Sequence, residues 1–425
     1  IIDWKEEHLM RRAAIIRKLK RRFFDLELNN FSLTENIANL LIFELIRGGY
    51  FPNDKTEESK ISDVQKIIDK YVFIFKRERE GRIADSSFLN ERRKYALHIF
   101  KNKHESKKGK NGLKFYTNLL EIAACEIEET LAPSIKEMAL IDYMFDLMRE
   151  RIKVDESIYG KGVLKKEETD IQIYIAAQQS LFKLDSPIIS YNLIKYKYPY
   201  WENPSQEELL KISQNIYKIL NDIESELMHP FGKKFYAICE KYDTPYLLLG
   251  DIISKSDPEK ISKEIQDPSI LEKSIKEAYL KRLADLKRKI IRAAIYSTSS
   301  IFITKILSLV ILEIILTKIF QGHLNLISLL ADILIPTLLM AILVITIKPP
   351  STKNLHLAIL ETIKIVYEKE KTDVYEIKFS KKKGLITRLS LSLIYLMGAV
   401  ISFSSIYWVF NYFKFPDASI IINFI

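Results

Sequence analysis

Apolar positions recur every three to four residues through most of the first 296 residues, the period of one face of an α-helix. Such runs cover 37–46, 64–75, 88–100, 113–131, 134–152, 170–182 and 245–253. Ser32-Leu33-Thr34-Glu35 and Ser62-Asp63-Val64-Gln65 have capping-box spacing, in which one side chain accepts from an orphan amide while the residue three positions on reaches back. Gly48-Gly49 stops the first run, as a helix C-terminus prefers. Asn203-Pro204, Thr244-Pro245, Asp257-Pro258 and Asp267-Pro268 each set a capping side chain before a proline whose missing N–H costs nothing at the first helical position. Charged stretches over 101–112 and 154–166 read as loops, with sub-boundaries expected near residue 105 or 160. Clear alternation at period two occurs only at Tyr375-Glu376-Ile377-Lys378-Phe379. No repeat of fixed period stands out. The pattern predicts an all-α fold, an irregular helical bundle or array.

The last third follows a different pattern. Three apolar stretches, 299–320, 324–347 and 389–412, each have about the 20 residues a helix needs to cross a bilayer. They predict three transmembrane helices. The organisation expected is a helical domain over 1–296, a transmembrane hairpin over 297–347, an insert over 348–387, and a third span with a short tail over 388–425.

Charge near the spans orients them. Lys281, Arg282, Lys287, Arg288, Lys289 and Arg292 precede the first span, and Lys378, Lys381, Lys382, Lys383 and Arg388 precede the third. The turn Gln321-Gly322-His323 has no Lys or Arg, and the tail has only Lys414. Basic flanks stay on the cytoplasmic side. The helical domain and the insert are therefore expected in the cytoplasm and the C-terminus outside, in a plasma or inner membrane. Tyr407, Trp408, Tyr412 and Phe415 fit an aromatic belt at the outer interface. No signal-peptide pattern opens the sequence, and a start at Ile1 instead of Met leads us to expect a segment upstream.

Composition narrows the function classes. Of 425 residues, 48% are hydrophobic and 28% charged, which excludes a disordered polyelectrolyte. Two cysteines, Cys125 and Cys239, are too few for a disulfide framework or a four-cysteine zinc site. The six histidines form no H-E-x-x-H and no Cys/His pair at ligand spacing, so no metal is expected. Phosphate-cradling glycine loops and the G-x-S-x-G nucleophile elbow do not occur. No cofactor and no catalytic residue are expected.

The excess of 65 Lys+Arg over 55 Asp+Glu, a net +10, favours anionic partners. Arg11, Arg12, Arg17, Lys18, Arg21 and Arg22, with Ile15, Ile16 and Leu19 among them, fit an anionic-lipid surface, as do Lys287, Arg288, Lys289 and Arg292. The plainer reading is the solvated face of a helix. Nucleic acid ranks below lipid because no groove-reading motif accompanies the charge. Tyr191, Tyr196, Tyr198, Tyr200 and Trp201 fit either a partner-docking surface or a helix end packed on the core.

Within the spans lie Lys305, Glu313, Lys318 and Asp332. A charge near the bilayer centre costs about 3 kcal/mol on insertion scales and is normally paired or functional. Glu313 and Asp332 are equally distant from the Gly322-His323 turn, so a hairpin sets them at one depth, where two carboxylates suit a shared proton or cation. The plain alternative pairs Lys318 with Asp332 or lets it snorkel outward, lets Lys305 snorkel inward and protonates Glu313. Gly398, Ser402 and Ser405 fall on one face of the third span, a small-residue face suited to helix packing.

Together these features predict an integral membrane protein whose cytoplasmic domain is a tethered scaffold or partner-binding module, its protein partner unspecified. The second reading is a transporter or channel subunit using Glu313 and Asp332, which three helices support only as a homo-oligomer. A membrane-bound enzyme is third.

Overall fold

The computed structural model describes residues 2–28, 37–83, 107–160, 162, 164–255, 258–308, 326–347, 352–367, 374–377 and 385–412. Two compact units emerge, one of residues 1–255 with 367–378, the other of 256–366 with 379–425.

The first unit begins with α1 (Ile2–Leu28), α2 (Ile37–Arg47), a 3-10 turn (Asn53–Thr56), α3 (Glu58–Ile83) and α4 (Lys107–Leu131). It continues with α5 (Ile135–Arg151), β1 (Ile152–Val154), α6 (Glu156–Gly160), α7 (Lys166–Phe182), α8 (Ser186–Lys197), α9 (Gln206–Leu227), α10 (Gly232–Lys241) and α11 (Asp243–Ile253). The all-α expectation holds. Two helices form its interior. Helix α4 packs against α1, α3 and α8, and α7 packs against α5, α8, α9, α10 and α11. From Gln172 to Gln178 every residue of α7 is buried, because the helix is apolar or neutral all round and meets neighbours on each side. Gly250 permits the approach of α11 to α5, since a Cβ there would stand 2.9 Å from Leu140 Cδ2.

Several ends fall where the local signals put them. Gly49, at φ +74°, terminates α2 with backbone bonds back into its last turn. Others shift. The capping box at Ser62 lies inside α3, which already starts at Glu58, and α9 is capped by Ser205 instead of Asn203, with Ser205 and Glu208 bonding reciprocally. Residues 107–112, expected in a loop, are the first turns of α4. The Ser32 box and the run over 88–100 lie outside the described residues.

The alternating stretch after the second apolar segment supplies β2 (Tyr375–Ile377), which pairs in parallel with β1. Ile152 stands opposite Tyr375, Lys153 opposite Glu376 and Val154 opposite Ile377. The Asp155 N–H donates to the Ile377 carbonyl at 3.1 Å, and Tyr375 stacks on Tyr242 at 4.2 Å between ring centroids. The first unit is thus built from two pieces of chain separated by the whole of 256–366.

The second unit contains α12 (Pro258–Gln266), α13 (Pro268–Ser308), α14 (Leu326–Ile345), α15 (Thr352–Tyr367, whose last residue belongs to the first unit) and α16 (Leu385–Tyr412). Asp267 caps α13 as its sequence predicts, its carboxylate accepting from the Ser269 N–H at 2.8 Å. Helix α13 packs on α12 and α14 and buries Leu271, Ile275 and Ala278 on one face. Further along α13 the apolar side chains are exposed, Ile303 and Leu307 among them. Pro336 lies inside α14, where Thr337 Oγ1 donates to the Ile333 carbonyl at 2.7 Å. Among the described residues one helix, α13, is long and apolar enough to cross a membrane, while 333–345 and 389–405 are shorter apolar stretches.

Candidate functional site

The densest chemistry of the first unit is centred on one turn of α4, Cys125-Glu126-Ile127-Glu128-Glu129. Successive residues of a helix point about 100° apart. Its three carboxylates therefore address three different neighbours. Glu126 faces α3, where it accepts from Tyr71 Oη at 2.8 Å and from Lys70, whose ammonium also donates to the Trp201 carbonyl at 2.8 Å. Glu128 faces α1, with His8 Nδ1 at 2.7 Å and Arg12 Nε at 3.3 Å. Glu129 faces α8, where both of its oxygens lie 2.8 Å from Lys195 Nζ. Arg12 continues to Asp185 at 2.8 Å, just ahead of α8, and Lys195 continues to Glu202 at 3.1 Å.

These ties span 56 residues from Lys70 to Glu126 and 173 from Arg12 to Asp185. They join helices distant in sequence. Glu126, Glu128, Lys70 and Arg12 are all buried, and burial of an ion is tolerated only with good geometry and a counter-charge. Burial raises the Glu126 carboxyl above its ordinary range, opposed by Lys70 and Tyr71. It lowers the Lys70 ammonium, opposed by Glu126. The Cys125 thiol is pushed up to about 12 by burial, which keeps it protonated and unreactive at neutral pH.

Two hollows adjoin this hub. One, of about 50 Å³, lies beside His8, Cys125, Glu128 and Asn192 and holds little more than water. The other is a cleft of about 350 Å³ edged by Asp63, Lys66, Glu126, Glu129, Tyr191 and Glu202. That is small-molecule size. Its walls are ion-paired, Asp63 with Lys66 at 3.0 Å, Glu126 with Lys70, and Glu129 and Glu202 with Lys195. Such a cleft presents a mosaic of four carboxylates against three lysines, with Glu129 and Glu202 sharing Lys195. Among the described residues no three His, Cys, Asp or Glu side chains are placed to hold a metal.

The residues singled out from sequence fare differently. Arg12, expected on a lipid-facing surface, is in the core instead, 4% exposed, because α4 presents Glu128 where it enters. Arg11 donates to the Tyr50 carbonyl at 3.0 Å and lies over the Phe51 ring, Arg17 reaches Tyr50 Oη at 3.2 Å, and Lys18 pairs with Glu44 at 2.9 Å. Arg21 and Arg22 belong to the last turns of α1, but their side chains lie outside the described residues. Lys287, Arg288, Lys289 and Arg292 are exposed on α13. Tyr191 and Trp201 are core residues, while Tyr196 and Tyr200 are exposed.

Lys305 is half-buried in the last turn of α13, and Asp332 is on α14. Glu313 and Lys318, and with them the paired-carboxylate arrangement, lie outside the described residues. Gly398, Ser402 and Ser405 share an exposed face of α16, where a Cβ on Gly398 would meet no atom within 4 Å.

Sequence reading missed the α4 hub. Its visible signal was three glutamates within four positions of an otherwise apolar run. Compared with protein-family models, with curated proteins and with solved structures, the chain matches none.

Proposed function

We propose that the protein is an integral membrane protein of three spanning helices whose first unit is a cytoplasmic, membrane-tethered scaffold or partner-binding module. The observation that carries this reading is the return of the chain. It leaves the first unit at Lys255 and re-enters it by Tyr367. Both ends of the intervening segment thus belong to one folded body, so that segment crosses a bilayer an even number of times. If α13 crosses, α14 must cross back. The third apolar helix, α16, then carries the C-terminus to the far side.

Other features agree. Along α14 and α16, Leu338, Leu343, Leu396 and Ile401 are each more than half exposed, which suits hydrocarbon better than water. Trp408 stacks on Tyr412 at 5.6 Å near the end of α16, where an interfacial belt is wanted. The exposed cations of α13 precede its apolar stretch and suit anionic headgroups. For the first unit, the module reading rests on the hub, whose carboxylates are each held by a cation and serve as ties between helices.

Labelling by a membrane-impermeant thiol reagent in intact cells tests the arrangement, with Cys125 and Cys239 replaced by serine. A cysteine at Gln321 should label from outside and one at Lys371 should not. Equal labelling of both, or the reverse pattern, would overturn the topology.

A further inference from the structure

The hub matches its buried charges, but among the described residues of the first unit Arg151 is a buried cation with no such match. Arg151, the last residue of α5, is 4% exposed. Among the described residues no carboxylate stands within ion-pair distance of it and its guanidinium makes no hydrogen bond, Nε being sealed from solvent without an acceptor. Arg149, two positions earlier, is exposed and has both Asp146 at 3.8 Å and the Phe145 ring at 5.5 Å. Among the described residues the buried arginine is therefore the unneutralised one.

Its surroundings are phenolic. Tyr246 of α11 is fully buried and its hydroxyl is sealed without a partner, and Tyr143 of α5 meets it edge-on with ring centroids 6.2 Å apart. Burial raises both phenols above their ordinary range, and in each case Arg151 is the charge that opposes the rise, so its field reaches both rings. The end of α5 supplies only about half a negative charge from the aligned peptide dipoles. A desolvated guanidinium needs more than that.

Of the guanidinium nitrogens only Nε is sealed without a partner, so an anion would meet the charge at the two terminal ones. A guanidinium fork matches two oxygens of a phosphate or a carboxylate. A phosphate monoester carries nearly two charges at pH 7 and gains more from a poorly solvated cation. We propose that Arg151, with the half-exposed Tyr143 as a neighbouring donor, is a binding site for a phosphate group, carried by free phosphate or by a phosphomonoester lipid headgroup. The inference is independent of the membrane reading, because free phosphate satisfies the same chemistry.

Thermal unfolding of the full chain in detergent tests it, with sodium phosphate against sodium chloride at equal ionic strength, and with mixed micelles of phosphatidic acid against phosphatidylcholine. Phosphate or phosphatidic acid should raise the midpoint saturably. A rise with phosphatidic acid alone assigns the lipid source, and a rise with both assigns the free group. Tyr143→Phe should weaken the apparent affinity several-fold, and Arg151→Gln should abolish the rise. Arg151→Met, of similar length without the charge, should unfold later than the parent in chloride and ignore phosphate. An unmoved parent midpoint in both comparisons, an undiminished rise in Arg151→Gln, or an earlier unfolding of Arg151→Met in chloride would each overturn the proposal.

Discussion

Helix α4 buries Glu126 and Glu128 and half-buries Glu129 within four positions, whereas the most apolar stretch of α13 buries none of its residues. Composition alone would assign the opposite fates. Charge went inside because α1, α3 and α8 each bring a cation to meet it, and apolar surface stayed outside because no described residue of the second unit covers it. Burial in this chain is decided by partners, and where protein partners are lacking the solvent must supply them. For α13, α14 and α16 that solvent is a bilayer on the reading proposed above.

The contrast breaks most visibly at the hub. Lys70→Met leaves Glu126 buried without its cation and should destabilise the first unit by roughly 3–5 kcal/mol, whereas Lys70→Met combined with Glu126→Leu should recover most of the loss. Denaturant unfolding followed by circular dichroism reads both, and equal losses in the single and double variants would show that the pair is not coupled.

A charge added to an exposed apolar position sharpens the second half of the comparison. Leu338 of α14 is 58% exposed and Met228 of the first unit 76% exposed. In water the two substitutions to aspartate would be equally mild. In a membrane Leu338→Asp costs about 3 kcal/mol of insertion, read as protein lost from the carbonate-resistant membrane fraction, while Met228→Asp stays within about 0.5 kcal/mol in stability. Unchanged partitioning of Leu338→Asp would argue that α14 does not contact hydrocarbon.

The smallest effect concerns β2. A fragment ending at Lys255 lacks the partner of β1 and the ring that stacks on Tyr242. Joining residues 367–378 to it through a flexible linker should add roughly 1–2 kcal/mol, from the cross-strand pairs and the aromatic contact. No gain in the unfolding midpoint would mean that the strand is held by the chain around it and contributes little itself.

Much of this was legible in the sequence where the cause is local. Gly49 takes the left-handed backbone that a helix stop needs, Asp267 caps the helix it precedes, and the alternation at 375–377 is the strand. Local signals failed where a neighbouring turn was also competent, as at Ser62, overrun by a helix already begun at Glu58. The pairings of the hub were not legible. Glu126, Glu128 and Glu129 are visible as charges, but which of the 65 basic residues meets each depends on contacts up to 173 residues apart. Arg12 shows the consequence, since in sequence it is indistinguishable from Arg11 and Arg17, and only the approach of α4 and α8 takes it into the core.

The late arrival of β2 has a consequence in time. A ribosome making about 5–20 residues per second takes roughly 6–24 s to add the roughly 120 residues between Lys255 and Ile377. Throughout that interval β1 has its neighbours on α5 but not its strand partner, and Tyr242 lacks its stacking ring. Closure of the first unit therefore waits until α13, α14 and α15 have been made, and on the membrane reading proposed above its maturation reports that the hairpin has been delivered with its return leg on the same side.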